Sequence, residues 1–261
     1  MHAPNLLSYQ FHQLKQKTTA PVLVFLHGLF GDMNNLGVIA RHFARDYSIL
    51  RVDLRNHGHS FHSEDMDYHL MNGDLLNLFE HLNLERLILI GHSMGGKTAM
   101  SFAAAYPQLL EKLVVIDIAP VIYDNHGHDG VFEGLFAVRQ ARPEDRRQAD
   151  ELLAQYIDEQ SIRLFMLKSF DPQMPECFRF NLSALHRNYP RLMGWHECRF
   201  NKPTLFIKGG LSDYIQPAHT DAVLTQFPQA SAFTVNGAGH WIHAQKPEIV
   251  ARVTRRFLEQ P

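Results

Sequence analysis

The sequence predicts an α/β fold in which helices cover both faces of a mostly parallel sheet, with a helical cap inserted into it. Apolar runs of strand length alternate with amphipathic segments of helix length along most of the 261 residues, which is the pattern of parallel strands joined by crossover helices. The alternation breaks between residues 121 and 202, a stretch too long for a plain crossover. We therefore expect one core domain formed by residues 1–120 and 203–261, with residues 121–202 as the cap.

Six short apolar runs are predicted to be the core strands. They are residues 22–27, 48–53, 86–92, 112–117, 204–209 and 231–236. The run LVVI at residues 113–116 is apolar throughout, which indicates burial on both faces of the sheet. Residues 5–10 and 12–17 are predicted to form an antiparallel hairpin at the sheet edge.

The segments between these strands are predicted to be helices, because their apolar residues recur three and four positions apart. In the core they are residues 37–47, 73–83, 94–106, 219–227 and 247–260. Within the cap, residues 145–158 and 161–170 show the same spacing.

Composition narrows the class of protein. A formal net charge of -2 gives no broad basic field, so no nucleic-acid partner is expected. The first ten residues lack the charged start and apolar core of a signal peptide, and no run reaches the roughly 18 apolar residues of a membrane span. We expect a cytoplasmic protein without stable membrane insertion.

The two cysteines, Cys177 and Cys198, are too few for a disulfide framework and are expected to be reduced packing residues. The oligomeric state is not indicated.

The stretch GHSMGGKT at residues 91–98 fits two different active-site motifs. As G-x-S-x-G it is a nucleophile elbow that presents Ser93 for acyl chemistry. As G-x-x-x-x-G-K-[ST] it is the phosphate-binding loop of an NTPase, with Lys97 on the phosphates and Thr98 on magnesium. Both motifs require a buried strand before them and a helix after them, so local context does not separate the two.

Three other clusters favour the elbow. The turn HGLFG at residues 27–31 can supply the Leu29 N–H, which would form an oxyanion hole together with the Met94 N–H. The loop GAGHWIH at residues 237–243 places His240 late in the chain, where a general base for Ser93 is expected. The stretch DLRNHGHS at residues 53–60 is expected to hold the loops around the elbow in place.

Together these clusters resemble the α/β-hydrolase superfamily over nearly the whole chain. More narrowly, GHSMGGKTAM, VIDIAP and GAGHWIHAQKP resemble the bacterial YbfF-type esterases and their mitochondrial ABHD relatives. This resemblance implies a serine hydrolase that cleaves a small carboxylic ester or an acyl thioester, such as an acyl-CoA, without a cofactor. A carbon-carbon bond hydrolase or an eliminating lyase would carry the same motifs and stays an alternative, as does the NTPase.

Two aspartates compete for the role of the acid that orients His240. Asp213 lies in the loop after the strand TLFIKG, which is the position that most hydrolases of this superfamily use. Asp117 ends the preceding strand in VIDIAP, and the narrower resemblance implies this second position. Both assignments stay open at the level of the sequence.

Two further expectations concern the surroundings of the site. Phe30 and Trp241 are expected to line an apolar acyl pocket. Among the 17 histidines, two closely spaced groups are candidate metal ligands: His57, His59 and His62, and His126 and His128. These residues lie in predicted loops without a cysteine partner, so no metal is expected.

Overall fold

Seven strands form a single sheet in the computed structural model, which describes residues 5–15, 19–124 and 127–260. They are β1 (Tyr9–His12), β2 (Val22–Leu26), β3 (Ile49–Val52), β4 (Leu87–His92), β5 (Leu110–Ile116), β6 (Thr204–Gly209) and β7 (Ala230–Val235). Their spatial order is β1-β3-β2-β4-β5-β6-β7. β1 runs antiparallel to β3, and all other neighbours are parallel. The predicted mostly parallel sheet is confirmed.

Ten α-helices occur in the part of the chain that the structure describes. They are α1 (Gly37–Arg41), α2 (Tyr68–His81), α3 (Met94–Ala105), α4 (Asp129–Ala141), α5 (Arg146–Leu153), α6 (Gln160–Leu167), α7 (Leu182–Met193), α8 (Thr220–Gln226), α9 (Ile242–Gln245) and α10 (Pro247–Leu258). Helices α4 to α7 lie between β5 and β6, within the predicted insertion. The division of the chain at residues 121 and 202 stays a prediction.

The sheet is covered on both faces, because alternate side chains of each strand point to opposite sides. In β2, Leu23 and Phe25 belong to an apolar cluster that includes residues of α1 and α10. Val24 and Leu26 belong to a second cluster that includes residues of α2 and α3. Each such side chain contributes about 1.5–3 kcal/mol on full burial, so the apolar runs define the centre of the fold.

The predicted N-terminal hairpin is wrong. Its two segments contribute one strand, β1, which pairs with β3 from Tyr9 opposite Val52 to His12 opposite Ile49. The free edge of β3 offers unpaired N–H and C=O groups, so a short strand can join it without forming its own hairpin. Residues 16 and 17 of the predicted hairpin lie outside the described residues.

Several helices differ in their bounds from the prediction: α5 ends at Leu153 rather than at residue 158, α6 ends at Leu167 rather than at residue 170, and α1 and α2 also differ. Helix α1 ends at Arg41 rather than extending to residue 47, and turns follow it. Helix α2 begins at Tyr68, five positions before the predicted start at residue 73. Its N-cap is Asp67, whose carboxylate accepts a hydrogen bond from the Leu70 N–H at 2.8 Å. Side-chain capping of this kind satisfies an N–H group that the helix itself cannot.

The carboxyl ends of the central strands meet at one edge of the sheet. There β2 leads into His27, β4 into Ser93 and β5 into Asp117. The edge of a parallel sheet where the strands end is where open α/β folds place their sites. None of the described helices combines the length and apolar character needed to cross a lipid bilayer.

Candidate active site

The turn from β4 to α3 holds Ser93 in a strained backbone conformation. Ser93 has φ 52° and ψ −119°, a combination that residues with a Cβ rarely adopt. Its N–H donates to the Ile116 carbonyl at 3.0 Å, and its carbonyl accepts from the Lys97 N–H at 3.0 Å. The serine is therefore fixed at the start of the helix, as a nucleophile elbow requires.

Two glycines make this turn sterically feasible. A Cβ on Gly91 would lie 2.2 Å from the Gly95 carbonyl oxygen, and a Cβ on Gly95 would lie 2.4 Å from the carbonyl oxygens of Leu26 and His27. These contacts are with backbone atoms, which cannot move aside as a flexible side chain can. The two glycines of the motif are thus needed for the close approach of β2, β4 and α3.

A continuous chain of hydrogen bonds joins Ser93, His240 and Asp117. His240 Nε2 lies 3.0 Å from Ser93 Oγ, and His240 Nδ1 lies 2.8 Å from Asp117 Oδ2. With Asp117 ionised, Nδ1 donates to the carboxylate, which leaves Nε2 as the acceptor for the serine hydroxyl proton. This is the geometry in which an imidazole can act as a general base toward a serine.

Asp117 is fully buried and bonded on both carboxylate oxygens. Oδ1 accepts from the Gly209 N–H at 2.8 Å, and Oδ2 accepts from the Ser212 hydroxyl in addition to His240. The residue directly follows β5 and has φ 54°. The position of the carboxylate is therefore set by the ends of two neighbouring central strands.

His240 is held at one face of its ring and at its backbone. The ring of Tyr214 stacks on it with centroids 3.9 Å apart and an angle of 22°. The carbonyl oxygen of His240 lies 2.9 Å from His92 Nε2. Burial raises the pKa of Tyr214 to about 12, so this ring is a neutral phenol beside the imidazole. Neither Tyr214 nor Ser212 carries a sequence signal beyond its place next to Asp213.

Asp213 lies apart from this chain of hydrogen bonds. It is exposed, whereas its neighbours Ser212 and Tyr214 turn inward to contact Asp117 and His240. Among the residues that the structure describes, the carboxylate bonded to the His240 ring is that of Asp117. Of the two aspartates that the sequence left open, the geometry brings Asp117 to the histidine.

Leu29 and Met94 both lie beside Ser93. They line the same cavity, and Met94 is the first residue of α3. The first N–H groups of a helix have no partner inside the helix and carry part of its positive end. Leu29 follows Gly28, where a Cβ would come within 3.2 Å of the Ser93 Cβ, so this turn packs directly against the serine. Both residues are thus placed where oxyanion donors are expected.

Two buried histidines brace the turn that carries Leu29. His57 Nε2 accepts from the Phe30 N–H at 3.2 Å, and its Nδ1 lies 2.9 Å from the Arg55 carbonyl. His27 accepts from the Leu54 N–H at 3.0 Å and pairs with the Gly28 carbonyl at 2.8 Å. Burial lowers the pKa of His57 well below its usual value and also lowers the pKa of His27. A neutral ring can accept the Phe30 N–H, and a protonated one cannot.

The stretch at residues 53–60 also contacts α2 of the core and the insertion. Arg55 forms a buried ion pair with Asp74, with its Nε 2.6 Å from Oδ2. The Asn56 carbonyl accepts from the Asn181 N–H at 2.9 Å. This agrees with the structural role expected for Arg55 and Asn56. The sequence did not indicate that His57 would hold the turn by accepting the Phe30 N–H, because the contact joins residues 27 positions apart.

The cavity at Ser93 is narrow, with a volume of about 30 Å³. Its lining comes from the turn after β2, the elbow and α3, the loops after β5 and β6, α2 and the insertion. The residues are Leu29, Tyr68, Ser93, Met94, Lys97, Ile118, Tyr123, His128, Tyr189, Leu192, Met193 and Tyr214. A space of this size has room for about one or two water molecules.

Phe30 and Trp241, which were expected to line the pocket, lie outside this lining. Phe30 has φ 63° and is buried against Phe132 and Phe180. The Trp241 ring contacts Phe165, with centroids 6.2 Å apart. Both aromatic rings pack helices of the insertion onto the core.

Lys97 and Thr98 do not take part in a phosphate-binding loop. Met94 already begins a regular helix, so the backbone N–H groups of residues 94–98 do not form an open loop. Lys97 Nζ donates to the carbonyls of Met193 and Gly194 at 2.9 Å each, and Thr98 Oγ1 donates to the Met94 carbonyl at 2.9 Å. Burial lowers the pKa of Lys97 to about 7. This geometry disfavours the NTPase interpretation of the motif.

Within residues 5–15, 19–124 and 127–260, no cluster of three histidine, cysteine or acidic side chains has the arrangement of a metal site. His126, one member of the metal hypothesis, lies outside the described residues. His128 Nδ1 lies 2.7 Å from the Tyr189 hydroxyl, and burial lowers the pKa of His128 to about 4. Cys177 and Cys198 are free thiols, and burial raises the pKa of Cys198 to about 12.

A strained serine after a central strand, a histidine beyond the last strand and a buried aspartate between them form a site of the α/β-hydrolase kind. The chain belongs to the α/β-hydrolase fold family, whose sequence profile matches residues 21–247. It is similar to a Haemophilus influenzae protein that carries an esterase/lipase designation, with 58% identity over 99% of this chain and 90% of that protein. It is also 41% identical to Esterase YbfF of Escherichia coli over 93% of this chain and 94% of that protein. A solved structure of a marine microorganism esterase matches with a TM-score of 0.89 and 35% identity, over 97% of this chain and 99% of that one.

Proposed function

We propose that this protein is a serine hydrolase that cleaves a small-molecule carboxylic ester or acyl thioester through an acyl-enzyme. The observation that carries the proposal is the hydrogen-bond chain from Ser93 Oγ through His240 to Asp117. Ester hydrolysis is also what the names of the similar proteins describe.

In the acylation step, Ser93 Oγ attacks the acyl carbonyl carbon while His240 Nε2 takes the hydroxyl proton. The tetrahedral oxyanion lies against the backbone N–H groups of Leu29 and Met94, which stabilise its charge. His240 then gives the proton to the departing alcohol or thiol, and the C–O or C–S bond breaks. The product of this step is an ester between the acyl group and Ser93.

In the deacylation step, a water molecule takes the place of the leaving group. His240 removes its proton as the oxygen attacks the acyl-enzyme carbonyl, and returns that proton to Ser93 Oγ as the acid is released. Asp117 stays ionised throughout and stabilises the imidazolium that forms in both steps. The chemistry requires no cofactor beyond the side chains and backbone of the chain.

The test is the intact mass of the protein after treatment with a fluorophosphonate, on wild type and Ser93→Ala in parallel. We expect one covalent adduct per wild-type chain and none on the variant, with loss of p-nitrophenyl butyrate hydrolysis on labelling. Thr98→Ala removes another hydroxyl in α3, the helix that begins directly after Ser93, and this control variant should label like wild type. Equal labelling of wild type and Ser93→Ala would overturn the proposal.

A further inference from the structure

A large cavity lies next to the narrow cavity at Ser93 and shares a wall with it. It has a volume of about 850 Å³ and lies along α2 and the second half of α3, under residues 194–199. We call it the second chamber. Tyr68 lines both cavities, and the wall between them is completed by Lys97 on one side and by Gly194 and Trp195 on the other.

The wall is held by hydrogen bonds to the end of α7. Lys97 Nζ donates to the carbonyls of Met193 and Gly194, and the Tyr68 hydroxyl donates to the Leu192 carbonyl at 2.5 Å. The rings of Tyr68 and Trp195 contact each other edge to face, with centroids 6.0 Å apart. The partition therefore consists of three consecutive carbonyls fastened by two side chains.

The size of the two cavities shows which part of a substrate each can hold. The Ser93 cavity of about 30 Å³ accepts only the carbonyl end of an acyl group. From Ser93 to Ala104 the helix rises about 16 Å, at 1.5 Å per residue. An extended alkyl chain advances roughly 1.3 Å per carbon, given C–C bonds of about 1.5 Å. An acyl chain of about twelve carbons attached to Ser93 would thus end beside Ala104.

The walls of the second chamber suit such a chain. Most of its exposed lining surface is apolar and includes Ala104, Ala105 and Trp195. Polar or charged side chains also line it, namely Asp67, His69, Asn72, Ser101, Arg191, His196, Glu197 and Arg199. Ile122, also in the lining, has 61% of its surface exposed. Covering an exposed branched side chain with an apolar ligand is favourable, because it removes apolar surface from water.

We infer that the second chamber binds the apolar tail of the acyl group, which enters it from Ser93 when the partition held by Lys97 and Tyr68 opens. This inference rests on the proposed function and specifies it further, since it names medium-chain and long-chain acyl esters as a substrate class. Lys97 and Tyr68 are positioning residues: by holding the partition, they determine which acyl chain lengths can reach the second chamber.

The experiment compares kcat/KM for p-nitrophenyl butyrate and p-nitrophenyl dodecanoate. In Ala104→Trp the added indole occupies the part of the chamber next to residue 104, where a twelve-carbon chain would end and a butyryl group does not reach. We expect kcat/KM for the dodecanoate to fall by at least about tenfold, because a lost apolar subsite of several methylenes is worth that much. The value for the butyrate should stay within about twofold. Ala141→Trp, at the end of α4 and outside the chamber lining, is the matched control and should change neither.

Each outcome bears on a different conclusion. Equal values for the dodecanoate in wild type and Ala104→Trp, or equal losses for both esters in a folded variant, would overturn the inference while leaving the proposed function intact. Absence of Ser93-dependent hydrolysis of both esters in wild type would overturn the proposed function and the inference with it. If Ala104→Trp does not fold, Ala105→Trp tests the same chamber from an exposed position.

Discussion

At the scale of single residues, the site depends on groups that fix the direction of other side chains. Asp117 orients His240, and His57 holds the backbone on which Leu29 lies. The sequence indicated Ser93 and His240 through their motifs. It left Asp117 and Asp213 open, because the direction of a loop side chain depends on backbone angles and neighbours that residue spacing does not contain. The turn at residues 212–214 directs alternate side chains inward, which exposes Asp213.

The two aspartates are therefore expected to respond differently to substitution. Asp117→Asn should lower kcat by roughly 10⁴-fold, because the amide cannot stabilise the imidazolium and favours the wrong tautomer. Asp213→Asn should leave kcat within about twofold, since surface changes away from the site have small effects. Steady-state kinetics on p-nitrophenyl butyrate measures both. Similar losses in the two variants would contradict the assignment of the acid.

His57 is expected to act on turnover through the Leu29–Phe30 backbone. His57→Ala removes the acceptor of the Phe30 N–H, so the neighbouring Leu29 N–H shifts relative to the developing oxyanion. Misplacement by about 1 Å costs about 10²-fold in rate, and we expect kcat to fall by roughly 10-fold to 100-fold with little change in KM. His59→Ala, an exposed position in the same loop, is the control. A change in KM alone would argue against this role.

At the scale of elements, the β4-α3 turn was predictable because its constraints are local. Gly91, Ser93 and Gly95 are close in sequence, and the steric reason for each is contained in one strand-turn-helix unit. The shape of the second chamber and the contact of Lys97 with α7 were not predictable. They join residues nearly a hundred positions apart, and helices α4 and α7 lie where the sequence pattern was least regular.

Glycine substitutions in two helices test this steric argument. Gly95→Ala places a Cβ 2.4 Å from the carbonyl oxygens of Leu26 and His27, so we expect a loss of stability of several kcal/mol, at the upper end of single-substitution effects. A Cβ on Gly73, in α2, would meet no described residue beyond its own helix within 4 Å. Gly73→Ala should therefore stabilise the protein by about 0.5–1 kcal/mol. Urea denaturation measures the free energy of unfolding of both variants relative to wild type. Equal changes in the two variants would refute the steric explanation.

At the scale of the whole molecule, the fold class was predictable because it depends on the order of apolar runs rather than on side-chain contacts. The six predicted core strands all occur, and the additional strand β1 pairs with β3 and forms one edge of the sheet. His92 and His243 are buried, and His128 is half-buried at the start of the insertion. Burial lowers the pKa of His243 to about 3 and of His128 to about 4, and lowers that of His92 well below its usual value.

Acid is therefore expected to destabilise the protein as the pH falls below about 6.5. Each of these histidines has a folded-state pKa below its unfolded value near 6.5, so the unfolded chain binds more protons between these two values. Stability is thus lost as the pH falls through 6.5, by about 1.4 kcal/mol per pH unit for each histidine. Urea denaturation at pH 7.0, 5.5 and 4.5 measures how steeply the free energy of unfolding changes with pH. In His243→Phe this slope should decrease by the amount that corresponds to about one bound proton. An unchanged slope in the variant would contradict this origin.

The centre of the sheet and its β7 edge differ in a way that affects how activity is lost on heating. Ser93 and Asp117 follow strands that are paired on both sides, whereas His240 follows β7, an edge strand whose side chains are mostly exposed. Edge segments with few buried contacts open at a lower free energy than the centre of a domain. Opening of β7 alone would withdraw the imidazole while the serine stays in place. Heat inactivation should thus begin as a reversible partial opening, at temperatures where the central sheet is still intact.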